Sequence, residues 1–341
     1  MPTLDLNVVA RNGELASLPA GAITVQMLTA RNASGTTAMH LVAKYGGLKD
    51  LSPEFLTPTL LTLKNDAGYT PIHHAAVGGF LDQVPKPLLN ADTLSRRSNA
   101  GITVLHLAAA HGHLDQVPLE LLTEDSVLRI SDIGNTLLHE AAENGTLDKL
   151  PPRFLKAENL AKKNLGGETV YHIAALNGNL EQIPQQFLTQ AAMRETTGAG
   201  DTVIHAAAIS GHLEQIPAVF LTRENLVLPS KTGFTAIHAA AETGQLRKIP
   251  REELTAELLM TRNDNGDTPL HAAAYGGHLD QVPIQILTPQ RVLLKNYEQL
   301  SVAQLAQDSG FLSQIPEASR PRSLGPFRRL LRRLSGVSTP F

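Results

Sequence analysis

The chain has no cysteine and no tryptophan, aromatic residues make up only 4% of it, and no window of 18 residues is apolar throughout. The missing cysteine excludes disulfides, thiolate nucleophiles and cysteine-based zinc sites together. It suits a reducing compartment, so a cytoplasmic protein is the expectation. With few aromatics but 42% hydrophobic residues, a core must be packed from alanine and aliphatic side chains. No segment is long and apolar enough to read as a membrane-spanning helix, and Met1 to Leu18 lacks the basic start and apolar run of a secretory signal. Also absent are a glycine-rich phosphate loop, a Gly-x-Ser-x-Gly elbow and a His-Glu-x-x-His pair. The chain therefore reads as a non-enzyme with no cofactor and no small-molecule substrate.

What fills the sequence is a repeat. From His271, steps of 33 residues reach His238, His205, His172, His139, His106, His73 and His40 without insertion or deletion, and one further step either way reaches Asn7 and Gln304. Length alone would suggest two or three domains, but ten repeats in register predict one array of stacked units. With the series histidine as position zero, +6 is Gly and +8 is Leu in all ten repeats, and −3 is Thr in all eight that carry the histidine. Threonine at −3 reads as an N-cap, whose oxygen serves the orphan N–H groups of a first helical turn. Pro71 and Pro269 follow at the first helical position, where proline is tolerated. The histidine then falls at N3, placed to reach back to the cap as a capping-box residue does. Alanines at +2 and +3, such as Ala75-Ala76 and Ala273-Ala274, favour helix and close helix approach. Glycine at +6 stops the helix by taking the left-handed conformation.

The second half of each repeat predicts a second helix from about +7, with Leu at +8 and Leu, Val or Ile at +11 on one face. Proline stands at +12 in nine repeats, so that helix is short or restarts there. Asp or Glu at +9 (Asp82, Asp115, Glu181, Glu214, Asp280) is placed to complement its dipole. Leu-Thr at +16 and +17 begins a fresh turn that ends at an apolar +21, and a polar link with Gly at +28 has β-turn composition.

Thr-Pro-Leu-His-x-Ala-Ala-x-x-Gly-His-Leu at a period of 33 resembles the ankyrin repeat over roughly residues 31 to 316. The resemblance implies an all-α, ankyrin-type solenoid of about ten helix-turn-helix units that binds other proteins. The second half departs from the common pattern: Leu-Asp-Gln-Val-Pro replaces a long Val/Leu-rich helix, so short interrupted outer helices are expected. The expected boundaries are a solenoid over 1–318, with an N-terminal cap unit at 1–30, eight regular units over 31–295 and a C-terminal cap unit at 296–318, then a tail at 319–341. One unit alone buries too little apolar surface to offset the entropy of ordering it, so stability must come from contacts between units.

Eight regularly spaced histidines invite a metal reading. Stacked helices lie ~8–10 Å apart, whereas zinc ligands sit ~2 Å from the ion, so successive histidines cannot share one. His106, His111 and His113 form the best remaining cluster, and no carboxylate completes it. No metal is expected. Functional residues should lie where repeats differ: Tyr69, Ile102 and Phe234 at −4, and Tyr45, His74, His111 and Tyr275 at +1, +4 and +5. By the resemblance these line the fingers and concave face that hold protein partners, as exposed aromatics among polar neighbours would; the alternative is that several tuck against the next unit.

After Glu317 there are six arginines and no acid, so residues 1–317 carry a net −9 against −3 for the whole chain. An acidic array argues against the repeats tracking a phosphate backbone. In the tail, Phe327, Leu330, Leu331 and Leu334 share one helical face opposite Arg328, Arg329, Arg332 and Arg333. So short a face makes a weak binder of an anionic membrane alone. The favoured expectation is a cover over an apolar end of repeat ten, or a helix for a partner. The reading is thus a protein-binding scaffold, with an adaptor or effector targeted to an anionic membrane or nucleic acid by the tail as the alternative.

Overall fold

The computed structural model describes residues 5–19 and 21–322. It divides into two compact units, Met1–Leu165 and Gly166–Phe341. Among the described residues every regular element is an α-helix or a 3₁₀ turn, with isolated β-bridges flanking the links and no strand. In the first unit the inner helices are Leu6–Asn12, Ala38–Lys44, Pro71–Gly78, Val104–Ala110 and Leu137–Asn144. In the second they are Val170–Leu176, Val203–Ser210, Ala236–Glu242, Pro269–Gly276 and Val302–Asp308. Within each unit, consecutive inner helices pack against one another.

In the repeats that carry them, the threonine and histidine form one hydrogen-bonded device. In repeat two, the Thr37 N–H and the His40 Nδ1 are 3.2 Å apart, the Thr37 hydroxyl lies 2.8 Å from the same nitrogen, and His40 Nε2 lies 3.1 Å from the Tyr69 carbonyl of the next repeat. A carbonyl only accepts, so Nε2 carries the proton and Nδ1 accepts from the cap. The same arrangement joins His106 to Asn135, His205 to Phe234 and His238 to Asp267. Burial pushes the rings of His73, His106, His238 and His271 down to about 4 and lowers those of His40 and His205. The neutral ring is the one this network needs.

Glycine at +6 is left-handed in all ten repeats, with φ between 68° and 94°. A second seam joins repeats there. The Gln116 amide donates to the Gly79 carbonyl (2.6 Å) and accepts from the Leu81 N–H (2.7 Å), and Gln314 does the same for Gly277 and Leu279. The residue at +7 lies over the preceding repeat's glycine, with Phe80 on Gly46, His113 on Gly79 and His278 on Gly244. These glutamines at +10 play a part the sequence reading did not assign, although their recurrence (Gln83, Gln116, Gln182, Gln215, Gln281, Gln314) was visible.

The expected second helix is three separate turns. A 3₁₀ turn at +8 to +10, such as Leu81–Gln83, precedes the proline, a second such as Lys86–Leu88 follows it, and a single α-turn such as Ala91–Leu94 closes the repeat. A three-residue turn has too few aligned peptides for a useful dipole, so the acids at +9 do not act as dipole partners. Some reach across repeats instead, as Asp280 does to Arg247 at 2.9 Å. The side chain at +21 is fully buried in repeats one to nine, from Leu28 to Val292. Links are joined tip to tip by backbone bonds, such as Asp66 N–H to Ser34 O (3.1 Å) and Lys231 N–H to Ala199 O (2.9 Å).

The end of repeat ten is less apolar than expected. Position +3, a buried alanine in repeats one to nine, is half-exposed Gln307, and Gln304 stands where the histidine would be. Gln304 donates to Asp308 at 2.8 Å. Of the +8 leucines, only Leu312 is left half-exposed among the described residues.

Three measurements follow. The unfolded rings titrate near ~6.5 and the folded ones near 4, so the unfolded chain binds more protons between those values. The histidine contribution is therefore complete above pH ~6.5 and is lost as the pH falls towards 4. Thermal melts should be level from neutral pH upward and fall progressively below 6.5; an unchanged melting temperature at pH 5 would contradict the role given to the neutral rings. Gly276→Ala should destabilise the chain, although helix propensity alone favours alanine by ~1 kcal/mol, because the added Cβ meets the Glu242 carbonyl oxygen; a higher melting temperature would refute that packing. Gln299 holds φ +63° at the place of the link glycine, so Gln299→Gly should stabilise by about 1 kcal/mol in urea unfolding.

Candidate partner-binding surface

The series histidines and their threonines are buried within caps and seams, which leaves the variable positions to form the surface. Tyr45 ends the helix Ala38–Lys44 with its side chain 41% exposed and the Lys44 ammonium 5.7 Å from the ring centroid. His74 is half-buried, edge-on to His40 with centroids 5.1 Å apart. Burial pushes its ring down to about 3, with His40, Lys44 and His73 adding to the shift, and its Nδ1 has no hydrogen-bond partner. It presents a neutral ring beside Tyr45's helix. His111 is exposed at the end of Val104–Ala110. Tyr275 is half-buried on Pro269–Gly276, in the same +4 column as half-buried Leu176 and Ile209 of the second unit.

Position −4 differs from expectation. Phe234 is only 5% exposed, its ring lies 5.4 Å from that of His238, and its carbonyl takes the His205 bond. It belongs to the seam between repeats and is removed from the surface. The −4 carbonyl accepts from the preceding histidine in several repeats, at Tyr69, Asn135, Asp201, Phe234 and Asp267, which holds the backbone of this position at the seam. Asn135 and Asp267 at the same position are also buried, while Tyr69, edge-on to His73 at 5.6 Å, and Ile102 are half-buried. The tail candidates Phe327, Arg328, Arg329, Arg332 and Arg333 lie outside the described residues.

The link tips add what the sequence reading passed over. Ile133 and Leu165 are 61% and 79% exposed, and the Leu165 N–H donates to the Ile133 carbonyl at 3.0 Å, so the two stand on adjacent tips of the first unit. In the second unit Tyr297 is exposed at its tip, with the Arg262 guanidinium 6.0 Å from its ring. The signal was available: these links carry a large apolar or aromatic residue where others have small, polar or charged ones. Charge also varies. Inner helices of the first unit include Arg11, Lys44, Glu140 and Glu143, while those of the second contain Glu242 and Asp308 and no Lys or Arg. Among the described residues no cluster of three or more His, Asp or Glu is arranged to hold a metal ion, and no helix is long and apolar enough to cross a membrane.

Within the second unit, residues 171–251 match a family model of three copies of ankyrin repeats, and residues 265–287 match that of a single ankyrin repeat. These stretches carry ankyrin repeats. A comparison with curated proteins finds no match. Each compact unit is an ankyrin-type stack of inner helices, with the outer helix of the repeat reduced to single turns. Ankyrin repeats generally mediate contacts between proteins and are generally non-catalytic.

Proposed function

We propose that the repeat array, residues 1–318, is a non-catalytic cytoplasmic scaffold that holds partner proteins on its variable columns. One contrast carries this reading: the fixed residues of each repeat are buried in caps and seams, while large apolar side chains at variable positions stand in water. In the first unit these include Tyr45, Ile133 and Leu165, and in the second Tyr297, with Tyr275 half-buried. Aromatic and aliphatic groups in such settings gain most when a partner desolvates them. Polar neighbours around them would fix orientation and partner choice.

The test compares affinity capture from the native host by the intact chain and by a Tyr45→Ala, Ile133→Asp, Leu165→Asp variant. All three side chains are exposed, so circular dichroism melts of the two should coincide. A protein retained by the first and lost from the second is expected. Identical retained sets would refute binding through these residues in the first unit.

A further inference from the structure

The outer layer of the second unit contains an open groove of about 220 Å³ between repeats nine and ten. Its apolar lining includes Leu279, Val282, Ile284, Leu287, Ile315 and Pro316, and Arg320 also lines it. Most of these side chains are buried floor, but Ile284 is 73% exposed on the rim. Arg320, near the end of the described residues, stands beside this groove. The Arg320 guanidinium donates to the carbonyls of Ile315 (2.7 Å) and Ser313 (2.8 Å), which fixes the chain beside the groove two residues before Arg322.

Repeat ten also departs from the common plan where its outer layer should be completed. Position +16 is Leu in repeats two to nine and Arg320 here; position +21 is a buried Leu, Val or Met in repeats one to nine and Gly325 here. The apolar residues missing from register appear a few positions later, as Phe327, Leu330, Leu331 and Leu334, which helical spacing sets on one face. From Arg322 to Phe327 is five residues, a reach of up to roughly 17 Å, ample for a groove that Arg320 already lines.

We propose that residues 327–334 of this same chain dock in this groove, covering Ile284 with their apolar face and supplying the outer-layer side chains that repeat ten lacks. The arginines of the opposite face then remain in water. This cover lies on the outer layer and not on the end face, where Gln304 and Gln307 already meet solvent. The assignment is independent of the partner-binding reading, which concerns other surfaces.

Hydrogen exchange on the full chain tests it. A segment this short holds little helix on its own in water, so protection of its amides reports docking. Exchange at residues 327–334 should be slowed by about tenfold or more relative to an unstructured peptide. Ile284→Asp, at an exposed site, should return it to the peptide rate, and so should Leu331→Ser, which leaves the groove intact. Lys86→Asp, at the same position of repeat three, should leave the protection unchanged. Unprotected amides in the intact chain would overturn the proposal, as would protection that survives Ile284→Asp. Protection that disappears on dilution would also overturn it, by showing that a second copy supplies the segment.

Discussion

The fold depends on a neutral imidazole held between two repeats. Most series histidines accept at Nδ1 from the cap of their own helix and donate at Nε2 to a carbonyl of the next repeat, as His40 does to Tyr69 and His238 to Asp267, while His73 and His271 donate to Arg96 and Leu294 of their own repeats. A side chain that only donated or only accepted could not do both. Helix initiation and repeat-to-repeat attachment are thereby joined in one residue, so neither can be lost without the other. The glutamine seam repeats this logic at the other end of the helix. It satisfies the carbonyl left over where the left-handed glycine breaks the ladder, and the N–H of the next turn.

Because these polar contacts are internal, identity is free to vary elsewhere. At +4, +5 and the link tips the repeats differ in charge, size and aromaticity. Position −4 shows the limit of that freedom. Its backbone is engaged by the preceding histidine, so even a phenylalanine there is drawn into the seam. A residue can vary between repeats without being available to a partner.

Much of this was legible in the sequence. The N-cap threonine, the N3 histidine and the left-handed glycine each follow from local chemistry, and the 33-residue period made each visible many times over. The outer layer was read less well. Proline at +12 foretold an interruption, but the division into two 3₁₀ turns and one α-turn depends on how Leu81 or Leu279 packs under its neighbour, which is a tertiary property. Phe234 was misplaced for a related reason: spacing gives the position of a residue along the repeat and not the depth to which a hydrogen bond to its carbonyl pulls it. Ile133 and Leu165 were overlooked because a link of turn composition draws attention to its glycine and away from what stands at its tip.

The tip-to-tip backbone bonds have one property: each regular repeat offers its neighbour the same N–H and the same carbonyl at the same place, as Asp66 to Ser34, Asn99 to Ala67 and Lys231 to Ala199. Gain or loss of one whole 33-residue segment between two regular repeats would therefore leave every interface of the same kind as before, whereas a change of even a few residues would put all of them out of phase. Such a chain can change length only in quanta. Repeat ten, with glutamine in place of both the histidine and the alanine at +3, is the member that cannot be copied into the interior without cost.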